Sequence, residues 1–88
     1  MPELCRFYGI IIKMFFVDIV QHNKPHIHAE YGDFKAVISL DGDMLAGSIP
    51  KKQFVMIQAW IAIHEEELYK AWNLAVRSEQ PGKVEPLK

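Results

Sequence analysis

A chain of 88 residues is one domain and no more, and its formal net charge of −1 gives no overall basic field that would draw it to nucleic acid or to an anionic membrane. Half of its residues are hydrophobic, which is a high share for so small a monomer and indicates a second buried surface such as a dimer interface. The single cysteine, Cys5, excludes an intrachain disulfide and fits a reducing cytoplasm. No histidine lies near Cys5 in the sequence, which argues against a nucleophilic role.

The first predicted element is a strand over Phe7–Phe16, a stretch rich in aromatic and β-branched residues. Both of its alternating faces are mostly apolar, so we expect it to be central in a sheet or covered on both sides. Lys13 interrupts the apolar run, which is too short for a signal peptide or a membrane-spanning helix, and we expect no membrane association.

The next segment, Pro25–Tyr31, places His26, His28 and Glu30 at alternate positions. A two-residue turn at Gly32–Asp33 makes this segment the first arm of a hairpin with a defined register. The predicted pairs are Tyr31 with Phe34, Glu30 with Lys35, Ala29 with Ala36, His28 with Val37, Ile27 with Ile38 and His26 with Ser39.

Side chains alternate between the two faces of this hairpin. The apolar face carries Ile27, Ala29, Tyr31, Phe34, Ala36 and Ile38. The other face carries His26, His28, Glu30, Lys35, Val37 and Ser39. The opposite charges of Glu30 and Lys35 support this register, because unlike charges across a strand pair attract. We therefore predict that both imidazoles leave the sheet on the side that the helix does not cover.

Asp41–Gly42 predicts a second tight turn, followed by a short strand over Met44–Ser48. Pro50 suits the first position of a helix, which we predict to continue to about Ser78, before a Pro-Gly pair closes it. At 1.5 Å per residue this helix would be about 40 Å long.

The predicted helix has one apolar stripe with spacings of three and four. Its members are Phe54, Ile57, Ile61, His64, Leu68, Ala71, Trp72 and Ala75. Before His64 the other sides are apolar as well, with Val55, Met56, Ala59, Trp60 and Ile63. A helix that is apolar all round is buried all round. The first half of the helix therefore predicts a homodimer or a protein partner.

Together these elements predict an α+β fold, in which a four-stranded antiparallel β-meander is followed by one long C-terminal α-helix packed on one face. We expect a single domain over residues 1–80 and a flexible C-terminal tail over residues 81–88.

Three segments, Arg6–Ile10, Pro25–Gly32 and His64–Trp72, carry a family resemblance. From Met1 to Leu87 the chain resembles the domain-of-unknown-function family 4160, whose members are short bacterial proteins, and the histidine block is the most specific part of the likeness. The resemblance implies a small cytoplasmic bacterial protein. The family's genes are similar to those of two-gene modules of the toxin–antitoxin kind, which is an analogy.

His26, His28 and Glu30 are candidate ligands for a divalent metal such as zinc. Alternate strand residues project to one side, so two nitrogens and one oxygen can share an ion and leave a position open. The alternative is that the histidines line a solvated or interface surface of an ordinary hairpin. His64 lies in the apolar stripe, so we expect it to be a hydrogen-bonded histidine at the core boundary instead of a third nitrogen ligand.

Hydrolysis without a metal is a further hypothesis for the same face. His28 would act as general base and Lys35 would stabilise the charge that develops in phosphodiester cleavage. Three lysines that we expect near the histidine face, Lys13, Lys24 and Lys35, are also compatible with binding of single-stranded nucleic acid. The aromatic residues fall mainly in the helix stripe and the first strand, which favours a role in the core.

The leading functional hypothesis is a small cytoplasmic interaction protein that dimerises or pairs with another protein, in a toxin–antitoxin-like or regulatory pair. The alternative is an enzyme, a nuclease acting on RNA that uses His26, His28, Glu30 and Lys35 with or without a metal.

Overall fold

The computed structural model describes residues 3–14, 24–77, 79 and 82–87. These residues form one antiparallel sheet, whose five strands lie in chain order, and two helices. The elements are β1 Glu3–Phe7, β2 Ile10–Lys13, β3 His26–Tyr31, β4 Phe34–Ser39, β5 Met44–Ser48, α1 Lys51–Ile63 and α2 Glu65–Val76. The predicted α+β class and the meander topology are confirmed. The predicted number of strands and the single long helix are wrong.

The first predicted strand is divided by a tight turn. Tyr8 and Gly9 occupy the turn with φ of 50° and 79°, and Phe7 pairs with Ile10 across it. Positive φ at both central residues is the pattern of a hairpin turn, but tyrosine rarely adopts it. Because this stretch is rich in aromatic and β-branched residues throughout, its sequence pattern did not separate β1 from β2. Residues 15 and 16, the predicted end of the first strand, lie outside the described residues.

The predicted long helix bends at His64, where φ is −109° and ψ is 25°. The His64 N–H still donates to the Trp60 carbonyl oxygen (3.0 Å), and the His64 carbonyl accepts from the Leu68 N–H (2.9 Å). The chain thus leaves the axis of α1 and resumes as α2 with little loss of backbone bonding. Within the described residues, neither helix is long and apolar enough to span a membrane.

The core lies between one face of the sheet and the inner sides of both helices. The predicted hairpin register is confirmed at all six pairs. Ile27, Ala29, Ala36 and Ile38 on its apolar face are buried, and they share the core with Ile57, Trp60, Ile61, Leu68 and Trp72. Period-two alternation in the hairpin and the three-and-four spacing in the helices bring these side chains together.

The tail that the sequence predicts to be flexible is attached to the core at two points in its described part, residues 82–87. The Val84 side chain is buried, and its N–H donates to the Leu4 carbonyl oxygen at 3.1 Å. Trp60 Nε1–H donates to the Glu85 carbonyl oxygen at 2.7 Å. A fully buried indole needs a partner for its N–H, and this tail supplies it.

Candidate functional site

The histidine face of the sheet is the surface formed by the outward residues of β2, β3 and β4. Strand pairing places His28 between Lys13 and Val37, and it places Glu30 between Ile11 and Lys35. This face therefore brings together three of the four predicted site residues, His28, Glu30 and Lys35, and adds Lys13 from the neighbouring strand. The sequence predicts Lys13 near this face, and the pairing of β2 with β3 places it beside His28.

His26 is buried, unlike the other predicted site residues. Its side chain is 0% exposed, and its ring packs against Trp72 of α2 with a centroid distance of 5.0 Å. Its Nδ1–H donates to the Lys24 carbonyl oxygen at 2.8 Å. The prediction that both imidazoles lie on a side that no helix covers is wrong for His26, because Trp72 of α2 packs against its ring.

His28 is half-buried, and its ring meets that of His26 edge-on with a centroid distance of 5.4 Å. His28, Glu30 and Lys35 line a shallow depression of about 210 Å³ that Ala46 and Gly47 of β5 complete. Gly47 has a φ of 78°, and a Cβ there would lie 2.2 Å from the Lys35 carbonyl oxygen. Glycine thus permits the close approach of β5 to β4 along one side of the depression.

The charges on the histidine face largely compensate one another. Lys13 Nζ donates to Glu30 Oε2 at 3.1 Å. Beside this face, on β1, Arg6 makes two hydrogen bonds to Glu3, of 2.7 Å and 3.1 Å, which lower the pKa of the Glu3 carboxyl. Lys35 is exposed and forms no ion pair within the part of the chain that the structure describes. It is therefore the cation on this face that is available to an anionic ligand.

The metal hypothesis requires three donor side chains around one point. Among residues 3–14, 24–77, 79 and 82–87, no three His, Cys, Asp or Glu side chains are grouped so as to hold a metal ion. The Glu30 carboxylate is engaged by Lys13. Zinc ligation by His26, His28 and Glu30 stays a prediction, and the donor set within the described residues does not favour it.

An ionic cluster that the sequence analysis did not single out lies beside the hairpin end that carries His26. Lys24 Nζ lies 2.8 Å from Asp41 Oδ2 and 3.5 Å from Asp43 Oδ2. The Ser39 hydroxyl donates to Asp41 and accepts from the Asp43 N–H at 3.0 Å. Hydrogen bonds from Lys24 and then from Ser39 lower the pKa of Asp41 to about 2. This cluster closes the β4–β5 turn and fixes the Lys24 carbonyl that holds His26.

His64 has the partner that the sequence predicts for it. Its Nδ1–H donates to Glu67 Oε1 at 2.9 Å, and its ring lies 5.8 Å from that of Trp60. It is thus a hydrogen-bonded histidine at the edge of the core, located at the bend between the helices. Its contacts differ from those of His26, which packs against Trp72.

Cys5 is buried, and this burial raises the pKa of its thiol to about 12. A thiol with so high a pKa is protonated at neutral pH and is a poor nucleophile. The structure therefore agrees with the expectation from sequence that Cys5 carries no chemistry.

Comparison with known families now adds to this geometry. The family model described as "Domain of unknown function (DUF4160)" matches residues 9–73, which is more than half of the chain. The chain belongs to this family. The matched range runs from the β1–β2 turn into α2, so it includes the histidine face and all of α1. No curated protein and no solved structure matches the chain.

Proposed function

We propose that this protein is a bacterial cytoplasmic interaction component that binds a protein partner through the outward side of α1. The observation that carries this proposal is a group of exposed apolar residues on that side. We call Val55, Ala59, Ala62 and Ile63 the outer α1 face. Val55 is 51% exposed and Ile63 is 66% exposed, and both alanines are exposed as well.

The outer α1 face lies opposite the core. At 100° per residue, Val55, Ala59, Ala62 and Ile63 fall on one side of the helix, while Ile57 and Ile61 face the sheet. Covering the exposed parts of Val55 and Ile63 would contribute about 1–2 kcal/mol each to association. Single exposed apolar residues are ordinary, but a continuous apolar strip on a helix is a common feature of binding surfaces.

The biological role that fits such a surface is that of one member of a pair, toxin–antitoxin-like or regulatory. The analogy with two-gene modules supports this role. Binding by one helix face needs no catalytic group, which agrees with a histidine face on which the Glu30 carboxylate is paired with Lys13.

Size-exclusion chromatography with light scattering, combined with a pull-down from the native host, tests the proposal. We expect the protein to form a dimer or to retain a specific partner, and we expect Ile63→Asp to abolish that assembly. Tyr8→Asp is a matched control, because Tyr8 is 60% exposed but lies in the β1–β2 turn. A native chain that is monomeric and retains no partner would contradict the proposal.

A second candidate function is RNA cleavage at the histidine face. It is supported by the shared depression in which His28, Glu30 and Lys35 meet. His28 would accept the proton of the attacking hydroxyl, and Lys35 would stabilise the negative charge on the phosphate. Glu30 accepts a hydrogen bond from Lys13, and this contact would hold β2 and β3 in position beside the site.

Cleavage of a mixed-sequence RNA by the native chain and by His28→Ala tests this candidate. We expect the substitution to lower the cleavage rate at least about 100-fold if His28 is the base. His64→Ala is the control, since His64 contacts Trp60 and Glu67 instead. Equal rates for the native chain and His28→Ala would remove this candidate.

A further inference from the structure

We propose that the partner of the outer α1 face is the same face of a second copy of this chain, packed antiparallel about a two-fold axis that passes beside Ala59. This inference rests on the proposed interaction function and names its partner. It is carried by the way apolar and charged residues are distributed along the exposed side of α1 and the first turn of α2.

The apolar residues are arranged nearly symmetrically about Ala59. In an antiparallel pair centred there, Val55 of one copy faces Ile63 of the other, and each Ala59 faces its counterpart. The same register places Met56, which is partly exposed, opposite Ala62. Each larger side chain at the ends of the strip thus meets an apolar residue, and small residues at the centre let two helices approach to about 8 Å.

The charges select the antiparallel arrangement. Lys51 and Lys52 begin α1, and Glu65, Glu66 and Glu67 form the first turn after it; all five are exposed. At helical spacing, Lys52 lies on the same side of α1 as the outer α1 face, and Glu66 is exposed in the first turn of α2, beyond the other end of that face. An antiparallel pair about Ala59 places Lys52 of each copy beside Glu66 of the other. A parallel pair would instead bring lysine to lysine and glutamate to glutamate, which is unfavourable.

The size of this face indicates a weak, reversible dimer. The 13 residues of α1 span about 20 Å. One helix face of that length provides less than the roughly 800 Å² per partner of a standard interface. We therefore expect a dissociation constant of the order of 100 μM, so that the oligomeric state depends on concentration.

Charge exchange in the full chain, followed by sedimentation equilibrium, tests the register. We expect Lys52→Glu and Glu66→Lys each to weaken self-association about tenfold, because each substitution replaces two attractive contacts per dimer by two repulsive ones. The double variant Lys52→Glu/Glu66→Lys should recover the native dissociation constant to within about threefold. Both residue changes are on exposed side chains, and circular dichroism verifies the fold of each of the three variants.

Oxidative cross-linking tests the position of the axis. Ala59→Cys places a thiol beside the two-fold axis, so we expect a disulfide-linked dimer. Ala62→Cys is the matched control, because it is another exposed alanine of the same face. Its two copies would lie about 9 Å apart along the helices, beyond the reach of a disulfide. Native Cys5 is buried, so cross-linking of the native chain gives the background level for both variants.

The outcomes separate this inference from the proposed function. Recovery in the charge-exchanged double variant together with cross-linking at position 59 supports the antiparallel dimer. An assembly that Ile63→Asp abolishes but charge exchange does not recover, or that cross-links at position 62 and not 59, overturns the register and leaves the interaction function standing. A chain that is monomeric at every concentration but retains a different protein overturns the dimer alone. A monomer without any partner overturns both.

Discussion

The outer α1 face and the histidine face differ in how completely their residues are satisfied within one chain. On the histidine face, Glu30 pairs with Lys13 and the nearby Glu3 pairs with Arg6. On the outer α1 face, Val55 and Ile63 expose half or more of their surface to water. Histidines and carboxylates on a surface therefore do not by themselves show that this surface binds a ligand. The apolar strip has the stronger physical reason to bind something.

Mutations on the two sides of α1 should differ in their effect on the free energy of unfolding, and Trp60→Ala should have the largest effect. Trp60 is fully buried and holds the tail through Glu85. We expect this substitution to lower the free energy of unfolding by about 3–5 kcal/mol, measured by urea denaturation. Ile63→Ala, on the exposed side, should change it by less than about 0.5 kcal/mol in the monomer. Equal losses of unfolding free energy for Trp60→Ala and Ile63→Ala would contradict the distinction between a buried and an exposed side of α1.

Substitutions of the two histidines of β3 should also differ in their effects on stability. His26→Ala removes a buried ring from its contact with Trp72 and leaves the Lys24 carbonyl without its donor, so we expect a loss of about 2–3 kcal/mol in the free energy of unfolding. His28→Ala, at a half-exposed position, should cost less than about 1 kcal/mol. Thermal denaturation of the two variants compares them directly. A larger loss for His28 would contradict the assignment of His26 as the structural histidine.

The paired charges of the histidine face should contribute little to stability. Glu30→Gln breaks the ion pair with Lys13, which is partly exposed, and we expect a loss of about 0.2–1 kcal/mol that shrinks in high salt. Lys35→Gln is the control because Lys35 forms no ion pair within the described residues, and it should change the free energy of unfolding still less. A loss for Lys35→Gln as large as that for Glu30→Gln would show that Lys35 has a structural partner.

The smallest expected effect is the acid dependence conferred by Asp41. The pKa of Asp41 in the folded chain is about 2, below its ordinary 3.8, because Lys24 and Ser39 hydrogen-bond its charged form. Its contribution to stability is therefore present above about pH 4 and is lost as the pH falls towards 2. Unfolding measured between pH 5 and pH 2 should show a shallower decline for Asp41→Asn than for the native chain. An identical decline would exclude the cluster as its source.

The hairpin of β3 and β4 was predictable because several independent signals agree. The Gly32–Asp33 turn, the period-two alternation and the opposition of Glu30 and Lys35 all specify one register. The β1–β2 turn was not predictable in the same way. Tyr8 adopts a positive φ that its residue type disfavours, and the surrounding apolar residues read as one continuous strand.

The candidate site was predictable in its strand geometry and not in its burial. Alternation correctly places His28, Glu30 and Lys35 on one face, because this depends on local spacing alone. The burial of His26 depends on Trp72, which is distant in sequence and lies in α2, beyond the interruption of the helix at His64. Helical periodicity continues through His64 without a break, so the pattern of residues gave no signal for that bend.

Methyl NMR on the native chain tests most directly whether the outer α1 face is the binding surface. Resonances of Val55 and Ile63 report on this face, and Val37 reports on the histidine face. On raising the concentration from about 10 μM to about 1 mM, a range that spans a dissociation constant of about 100 μM, we predict shifts at Val55 and Ile63 and none at Val37. Shifts at Val37 with unchanged Val55 and Ile63 would contradict the account.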